Sequence, residues 1–420
     1  MKFSFMRFVD DHIGMPIGYL FGRIAQAKRF LSRPHRDLPP EKVKTIFCQK
    51  YFGMGSILCA IPLIRALRQH YPNAKIVFLT LESNRETVEV CQIADEVLTI
   101  NLDFFGKFII DVMEKIFYLM RKKVDISIDL EFFSKFSMIL SFISGAKLRI
   151  GLHQKGIRPE GIMTNTIYYN YYKHISEIYF AYAFALGIES KPEYFASVLP
   201  PLKEAWGEGI ALKLNLKAGI PIVIINVNAS NLFKFRCWPA DYFVKLVQLL
   251  IQNYPDYYYV LIGGSSDLKD VNEICQKVGK YEQLINASGR TNIRELFALI
   301  EMSYLMITND SGPMHIASSY DINIAAFFGP ETPIVYGPLN KNTLIFYSED
   351  IYCSPCLNVY DSKQSLYRET CVKNSCLLEF KPEEVYALTE KQFFASNKEF
   401  TPVSSHKFVS AGHLQQISGL

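Results

Sequence analysis

The stretch that decides the fold is residues 303–337, SYLMITNDSGPMHIASSYDINIAAFFGPETPIVYG. It reads as strand, tight loop, helix, strand and second loop. Residues 304–308 are short and mostly apolar, as a strand buried on both faces must be. Asn309, Asp310, Ser311 and Gly312 then supply turn chemistry, and Pro313 stands where a helix begins. Residues 322–328 give a second buried strand, and Gly329, Pro330, Glu331, Thr332 and Pro333 a second loop on the same edge. A strand that feeds a helix N-terminus places backbone N–H groups and the positive helix end beside the carboxyl edge of the sheet. Open parallel sheets bind nucleotides at that edge. The stretch therefore predicts a phosphate-bearing ligand, gripped by two adjacent loops.

Working outward, the same plan fills the second half. Residues 222–227 read as a strand, the loop NASNLFKFRCWP (228–239) carries Lys234, Arg236 and Trp238, and a helix spans 240–253. A strand at 257–262 runs into Gly263, Gly264, Ser265, Ser266 and Asp267; a helix at 269–278, a short strand at 284–287 and a helix at 293–300 follow. The first half repeats the pattern. A strand at 43–49 ends in the glycine-bearing loop 50–56, and helix 57–70, with Pro62 as a local irregularity, leads to strand 75–81. Strands at 96–100, 125–130 and 148–151 alternate with helices at 105–121 and 133–143, and a helix at 174–186 ends at Gly187. Residues 152–172 are irregular, basic and tyrosine-rich. Alternating strand and helix give an α/β fold of two doubly wound halves. The expected division is an N-terminal extension and linker at 1–40, a first domain at 41–200, a second at 201–395 and an unpatterned, disordered tail at 396–420.

The 420 residues suffice for two domains, each with its own core. Apolar residues make up 49% and charged residues 20%, with a net charge of +4, so nucleic acid is not the expected partner. No run of uncharged apolar residues is long enough to span a bilayer, and no signal-peptide core opens the chain. Nine cysteines, five of them scattered through core-like segments, fit a reducing compartment, and the expectation is a cytoplasmic protein. Cys353, Cys356, Cys371 and Cys376 form two close pairs: a structural zinc site is one reading, reduced thiols or an adventitious disulfide the other. Residues 1–32 interleave Phe, Met and Ile with Arg7, Arg23, Lys28 and Arg29. Two readings stand open there: an amphipathic segment on an anionic membrane, or an extension packed on the globular body.

The combination of G-M-G-S-I-L-x-x-x-P-L-I-R-A-L from Gly53, R-x-W-P from Arg236, N-D-S-G-P-M-H-I-A from Asn309 and F-F-G-P-E-T-P from Phe327 resembles the bacterial heptosyltransferase family, glycosyltransferase family nine. The likeness covers roughly residues 43–390. It implies a GT-B fold, two Rossmann-like domains facing across a cleft, with the donor on the second and the acceptor on the first. It also implies inverting transfer of a heptose or related sugar from an ADP-sugar to a lipopolysaccharide core or other lipid-linked glycan. Neither a metal nor another cofactor is expected, and contact with the cytoplasmic face of the inner membrane is.

On this resemblance the leaving diphosphate would meet amides of Ser311, Gly312 and Met314 and the cations Arg236 and Lys234. Asp310 would take sugar hydroxyls; His315, Asp267 and Gly329 complete the donor set, and Gly55, His153, Lys155 and Arg158 the acceptor set. One departure stands out: the family's first loop reads glycine-aspartate, and here Gly55 is followed by Ser56. A serine is a poor base without a partner, so Asp129 or Glu131 takes the expected base role, unless the acceptor differs or the protein is weakly active. A non-catalytic nucleotide-sugar or carbohydrate-binding homologue is the rival. A nicotinamide dehydrogenase is disfavoured, since no G-x-G-x-x-G follows a strand.

Overall fold

The computed structural model describes residues 3–31, 38–132, 134–153, 158–189, 199–229, 235–357, 371, 374–395 and 407–409. The chain divides into two compact units, Met1–Phe195 and Ala196–Leu420.

The first unit is built on six parallel strands: β1 (Thr45–Gln49), β2 (Lys75–Leu81), β3 (Glu96–Ile100), β4 (Ile126–Asp129), β5 (Leu148–Leu152) and β6 (Asn165–Ile167). They lie in the order β3-β2-β1-β4-β5-β6, with β1 paired to β2 on one side and β4 on the other. The direction of winding reverses between β1 and β4, which is the doubly wound arrangement. Strand β1 is buried along its whole length, as a run without polar alternation requires. Strand β6 lies inside the stretch expected to be irregular; at three residues it is too short to show a period. The helix expected at 57–70 is two helices, Met54–Cys59 and Ile61–His70, because Pro62 suits the first turn of a new helix rather than the interior of an old one.

Residues 3–31 form Phe3–Val9, a π-helical turn Asp10–Gly14 and the helix Met15–Leu31. The helix lies on the first unit, so part of its length is packed on the body. Gly18 and Gly22 permit this: a Cβ on Gly18 would meet Pro159 Cγ at 2.4 Å, and one on Gly22 would meet Glu160 O at 2.2 Å. Asp10 accepts backbone N–H groups of Lys135 and Phe136, and Phe21 stacks on Phe142 at 4.7 Å.

The second unit carries seven parallel strands: β7 (Ile222–Asn226), β8 (Tyr258–Leu261), β9 (Leu284–Asn286), β10 (Leu305–Asn309), β11 (Asn323–Phe327), β12 (Thr343–Phe346) and β13 (Lys407–Val409). Their order is β13-β12-β11-β10-β7-β8-β9, and winding reverses between β7 and β10. The stretch expected as an unpatterned tail thus supplies an edge strand at 407–409; its other residues lie outside the described ones. A helix Glu204–Leu214, unforeseen in the sequence, opens the unit. Trp238 is the hub of the core: 1% exposed, stacked on Phe327 at 4.4 Å and edge-on to Phe243 at 4.9 Å, with its indole N–H donating to Phe380 O at 3.0 Å. Fixing Trp238 fixes the end of the loop that carries Arg236.

Candidate active site

In the second unit the reversal between β7 and β10 opens a crevice at the carboxyl ends of these strands, where doubly wound sheets hold ligands. Polar residues at the two strand ends cross-link it. The Asn226 amide donates to Ser311 Oγ at 2.8 Å and Thr308 Oγ1 at 3.1 Å, and Trp238 N donates to Asn309 Oδ1 at 2.8 Å. Ser311 enters the helix Gly312–Ser319 in extended conformation (φ −159°), and its hydroxyl does not cap the first turn. The side chain that would usually satisfy those amides is held by Asn226 instead.

Arg236 and Asp310, both expected donor residues, are brought together: Arg236 Nη1 lies 2.6 Å from Asp310 Oδ2, with side chains 15% and 6% exposed. A buried pair of this kind holds its partners in one geometry more than it stabilises the fold. His315 is buried nearby. Burial holds its imidazole down to about 4, Arg236 pushes the same way and Asp310 opposes, so the ring is neutral at pH 7 and serves as a hydrogen-bond partner, not a cation. Glu331 is 4% exposed. Burial, reinforced by the Asp310 charge, pushes its carboxyl well above the usual carboxylate range, and its Oε2 has no hydrogen-bond partner among the described residues. Nothing in the spacing of F-F-G-P-E-T-P reveals this, because the burial comes from residues far away in sequence.

Gly329 is required by close approach: a Cβ there would lie 2.8 Å from Cys376 Sγ and 3.0 Å from Leu377 Cγ. Asp267 accepts from Gly264 N at 2.8 Å and shapes its own turn at the end of β8. Lys234 lies outside the described residues. The four cysteines Cys353, Cys356, Cys371 and Cys376 carry no disulfide, and no group of three or more metal-binding side chains occurs among the described residues. Burial raises the Cys356 thiol to about 11 and the Cys376 thiol to about 12, with the neighbouring thiols adding to both.

In the first unit the corresponding reversal lies between β1 and β4, and the residues just past those strand ends form a buried ionic cluster. Lys50 Nζ pairs with Glu131 Oε1 at 3.1 Å, and the same oxygen accepts Tyr51 N at 2.5 Å and Phe52 N at 3.2 Å. Arg158 pairs with Asp129, whose Oδ2 also accepts Ser137 Oγ at 2.8 Å; Arg158 Nη1 donates to Glu131 O at 2.8 Å. Asp129 is 0% and Glu131 1% exposed. Burial pushes the Asp129 carboxyl up against the pull of Arg158. A general base must come within hydrogen-bond reach of the acceptor hydroxyl. Asp129 and Glu131, expected in that role, are instead enclosed and spent on cations, amides and a hydroxyl. Arg158, expected to touch the acceptor, is 3% exposed and holds Asp129.

What remains at this edge is Gly55, buried in the first turn of Met54–Cys59, and Ser56, half-buried beside it, with Gly53 at φ +86° turning the chain into the helix. His153 follows β5 and sits 4.8 Å from the Tyr168 ring, which follows β6. Tyr168, Tyr171 and Tyr172 are exposed, and together with His153 they give the carboxyl edge an aromatic surface. Lys155 lies outside the described residues. Lys50, unmarked in the sequence, proves to be the cation that organises the loop.

Residues 116–366, more than half of the chain, match the family model for glycosyltransferase family 9 (heptosyltransferase). The chain belongs to this family. It is 27% identical over 349 residues to lipopolysaccharide heptosyltransferase 3 of Escherichia coli, covering 80% of this chain and 94% of that one. With lipooligosaccharide heptosyltransferase 2 of Campylobacter jejuni the identity is 32% over 179 residues, 41% of this chain and 51% of the relative, so the chain spans about half the length of that relative. The solved structure of Escherichia coli ADP-heptose lps heptosyltransferase II superposes with a TM-score of 0.66 at 19% identity, over 85% of this chain and all of the other. The fold of this family member is accordingly of GT-B type, with two Rossmann-like units.

Proposed function

We propose that this glycosyltransferase moves a heptose or related sugar from an ADP-sugar to a lipopolysaccharide core or similar lipid-linked glycan, with inversion at the anomeric carbon and at the cytoplasmic face of a membrane. The observation that carries the reading is the buried Arg236–Asp310 pair beside the helix N-terminus Gly312–Ser319, at the reversal point of the second sheet. In the reaction an acceptor hydroxyl oxygen bonds to the anomeric carbon, the bond to the phosphate oxygen breaks, ADP leaves and the hydroxyl proton is given up. The growing charge on the diphosphate is met by the helix amides and by Arg236, whose planar fork suits a phosphate. Asp310 orients Arg236 and accepts sugar hydroxyls; neutral His315 and the buried Glu331, whose carboxyl is pushed well above the usual carboxylate range, add hydrogen bonds. This division of labour needs no metal ion. The names of the relatives, which include an ADP-heptose heptosyltransferase, support the donor class.

On the acceptor side, Asp129 and Glu131 act through the loop: Glu131 holds residues 50–52, and the loop sets Gly55 and Ser56. His153 and the exposed tyrosines offer stacking surface for sugar rings. A second reading, donor binding without transfer, is favoured by Ser56 and by the enclosure of both carboxylates. Incubation with ADP-heptose and heptose-deficient lipopolysaccharide core separates the two. Release of ADP that depends on the core supports transfer; tight ADP-heptose binding without core-dependent release supports the second reading, and no binding of ADP-heptose contradicts both.

A further inference from the structure

The helix Phe105–Lys122 carries a wider apolar arc than the body of the first unit covers. Phe108, Val112, Ile116 and Leu119 pack on the core around β1–β3. One step round the helix, Phe105, Ile109, Ile110, Met113, Phe117 and Met120 form a second stripe, 42–64% exposed. The N-terminal helices show the same excess. Gly14, Gly18, Gly22 and Ala25 face the body, while Phe5, Phe8, Ile13, Ile17, Leu20 and Ile24 are 37–58% exposed. The two surfaces meet where the Phe5 ring packs edge-on against Phe105, centroids 6.0 Å apart. Scattered exposed apolar residues need no explanation, but two contiguous helical stripes do.

We infer that these two stripes form a single bipartite docking face for an anionic lipid bilayer, lying in its interface without crossing it. Charge selects this occupant. Arg7, Arg23, Lys28, Lys107, Arg121 and Lys123 are exposed on or beside the stripes. Two of these cations are paired, Arg7 with Asp11 at 3.8 Å and Lys107 with Asp111 at 2.8 Å, and the exposed acids Asp11 and Glu114 also reach Lys135 at 2.5 Å and Lys115 at 2.9 Å, so the cations remain in excess. The face is therefore net positive: it attracts anionic headgroups and repels the same face of a second copy of the chain. Among the described residues no helix is long and apolar enough to cross a membrane, which leaves docking in the plane, with apolar side chains in the acyl boundary and basic ones at the headgroups. The inference deepens the reading of a lipid-linked acceptor. Lipid binding is measured without donor or transfer, so either can fail alone.

The test is co-sedimentation of the full chain with vesicles of phosphatidylcholine alone or mixed with phosphatidylglycerol. Two variant pairs, Leu20→Glu with Ile24→Glu and Ile110→Glu with Phe117→Glu, replace exposed residues. A third, Arg121→Glu with Lys123→Glu, leaves every apolar residue in place. The expected result is binding to the mixed vesicles that falls with added salt and drops at least about tenfold for each of the three pairs. The inference is overturned if the full chain does not sediment with mixed vesicles or binds neutral ones equally. It is also overturned if the 110/117 pair leaves binding unchanged, or if the stripes instead mediate a dimer in solution that the same substitutions dissolve.

Discussion

Arg236 and Asp310 bear most of the proposed chemistry, and their coupling makes a sharp prediction. Arg236→Gln removes the fixed positive charge at the helix N-terminus and is expected to lower transfer on the order of 100-fold. Arg236→Lys keeps the charge but loses the fork that serves Asp310 and a phosphate together, and is expected to recover only part of that loss. Initial rates with the donor varied check both, and equal rates for wild type and Arg236→Gln would remove the arginine from the mechanism. His315 predicts a pH dependence. Its unfolded value lies near 6.5 and its folded value near 4, so between these pH values the unfolded chain binds more protons, and stability falls as pH drops from 6.5 towards 4. The loss is at most about 3 kcal/mol; His315→Gln should flatten that part of the curve, read by denaturant unfolding across the window. The motif made Asp310, Ser311, His315 and Arg236 legible in the sequence. It did not show that Arg236 holds Asp310, or that Glu331 is enclosed, because both depend on loops brought together by the sheet.

At the scale of elements, the strands were the legible part: buried parallel strands read as apolar runs ended by Gly, Ser and Asn, and most fell where expected. The helix Glu204–Leu214 and β6 escaped for want of a clear period in short or glycine-bearing sequence. The carboxylates after β4 show what a strand end alone leaves out. A strand end that carries Asp129 and Glu131 looks catalytic in sequence, yet Arg158 and Lys50 arrive from other elements to enclose them. Asp129→Asn is therefore expected to destabilise the first unit by about 3 kcal/mol, since it leaves Arg158 buried without its counter-charge. Denaturant unfolding measures this. A stable Asp129→Asn protein that loses only the basic limb of its pH–rate profile would instead restore Asp129 as the base.

For the molecule as a whole, sequence gave two α/β halves, and the family match and solved relatives agree with that plan. The order of strands within each sheet was accessible only as a consequence of doubly wound topology; the reversals at β1/β4 and β7/β10 are what turn a row of polar loops into two candidate sites. The outer faces of residues 3–31 and of Phe105–Lys122 were half legible. The basic and apolar mixture was visible, but which side of each helix the body leaves uncovered is a property of packing. The central claim is that the Arg236–Asp310 crevice and the Ser56 loop belong to one transferase. Its most direct measurement is the product formed from ADP-heptose of known anomeric configuration and a heptose-deficient core, analysed by mass and by NMR. The account predicts one added heptose with the opposite configuration, whereas a retained configuration, or no core-dependent product from a protein that binds the donor, would contradict it.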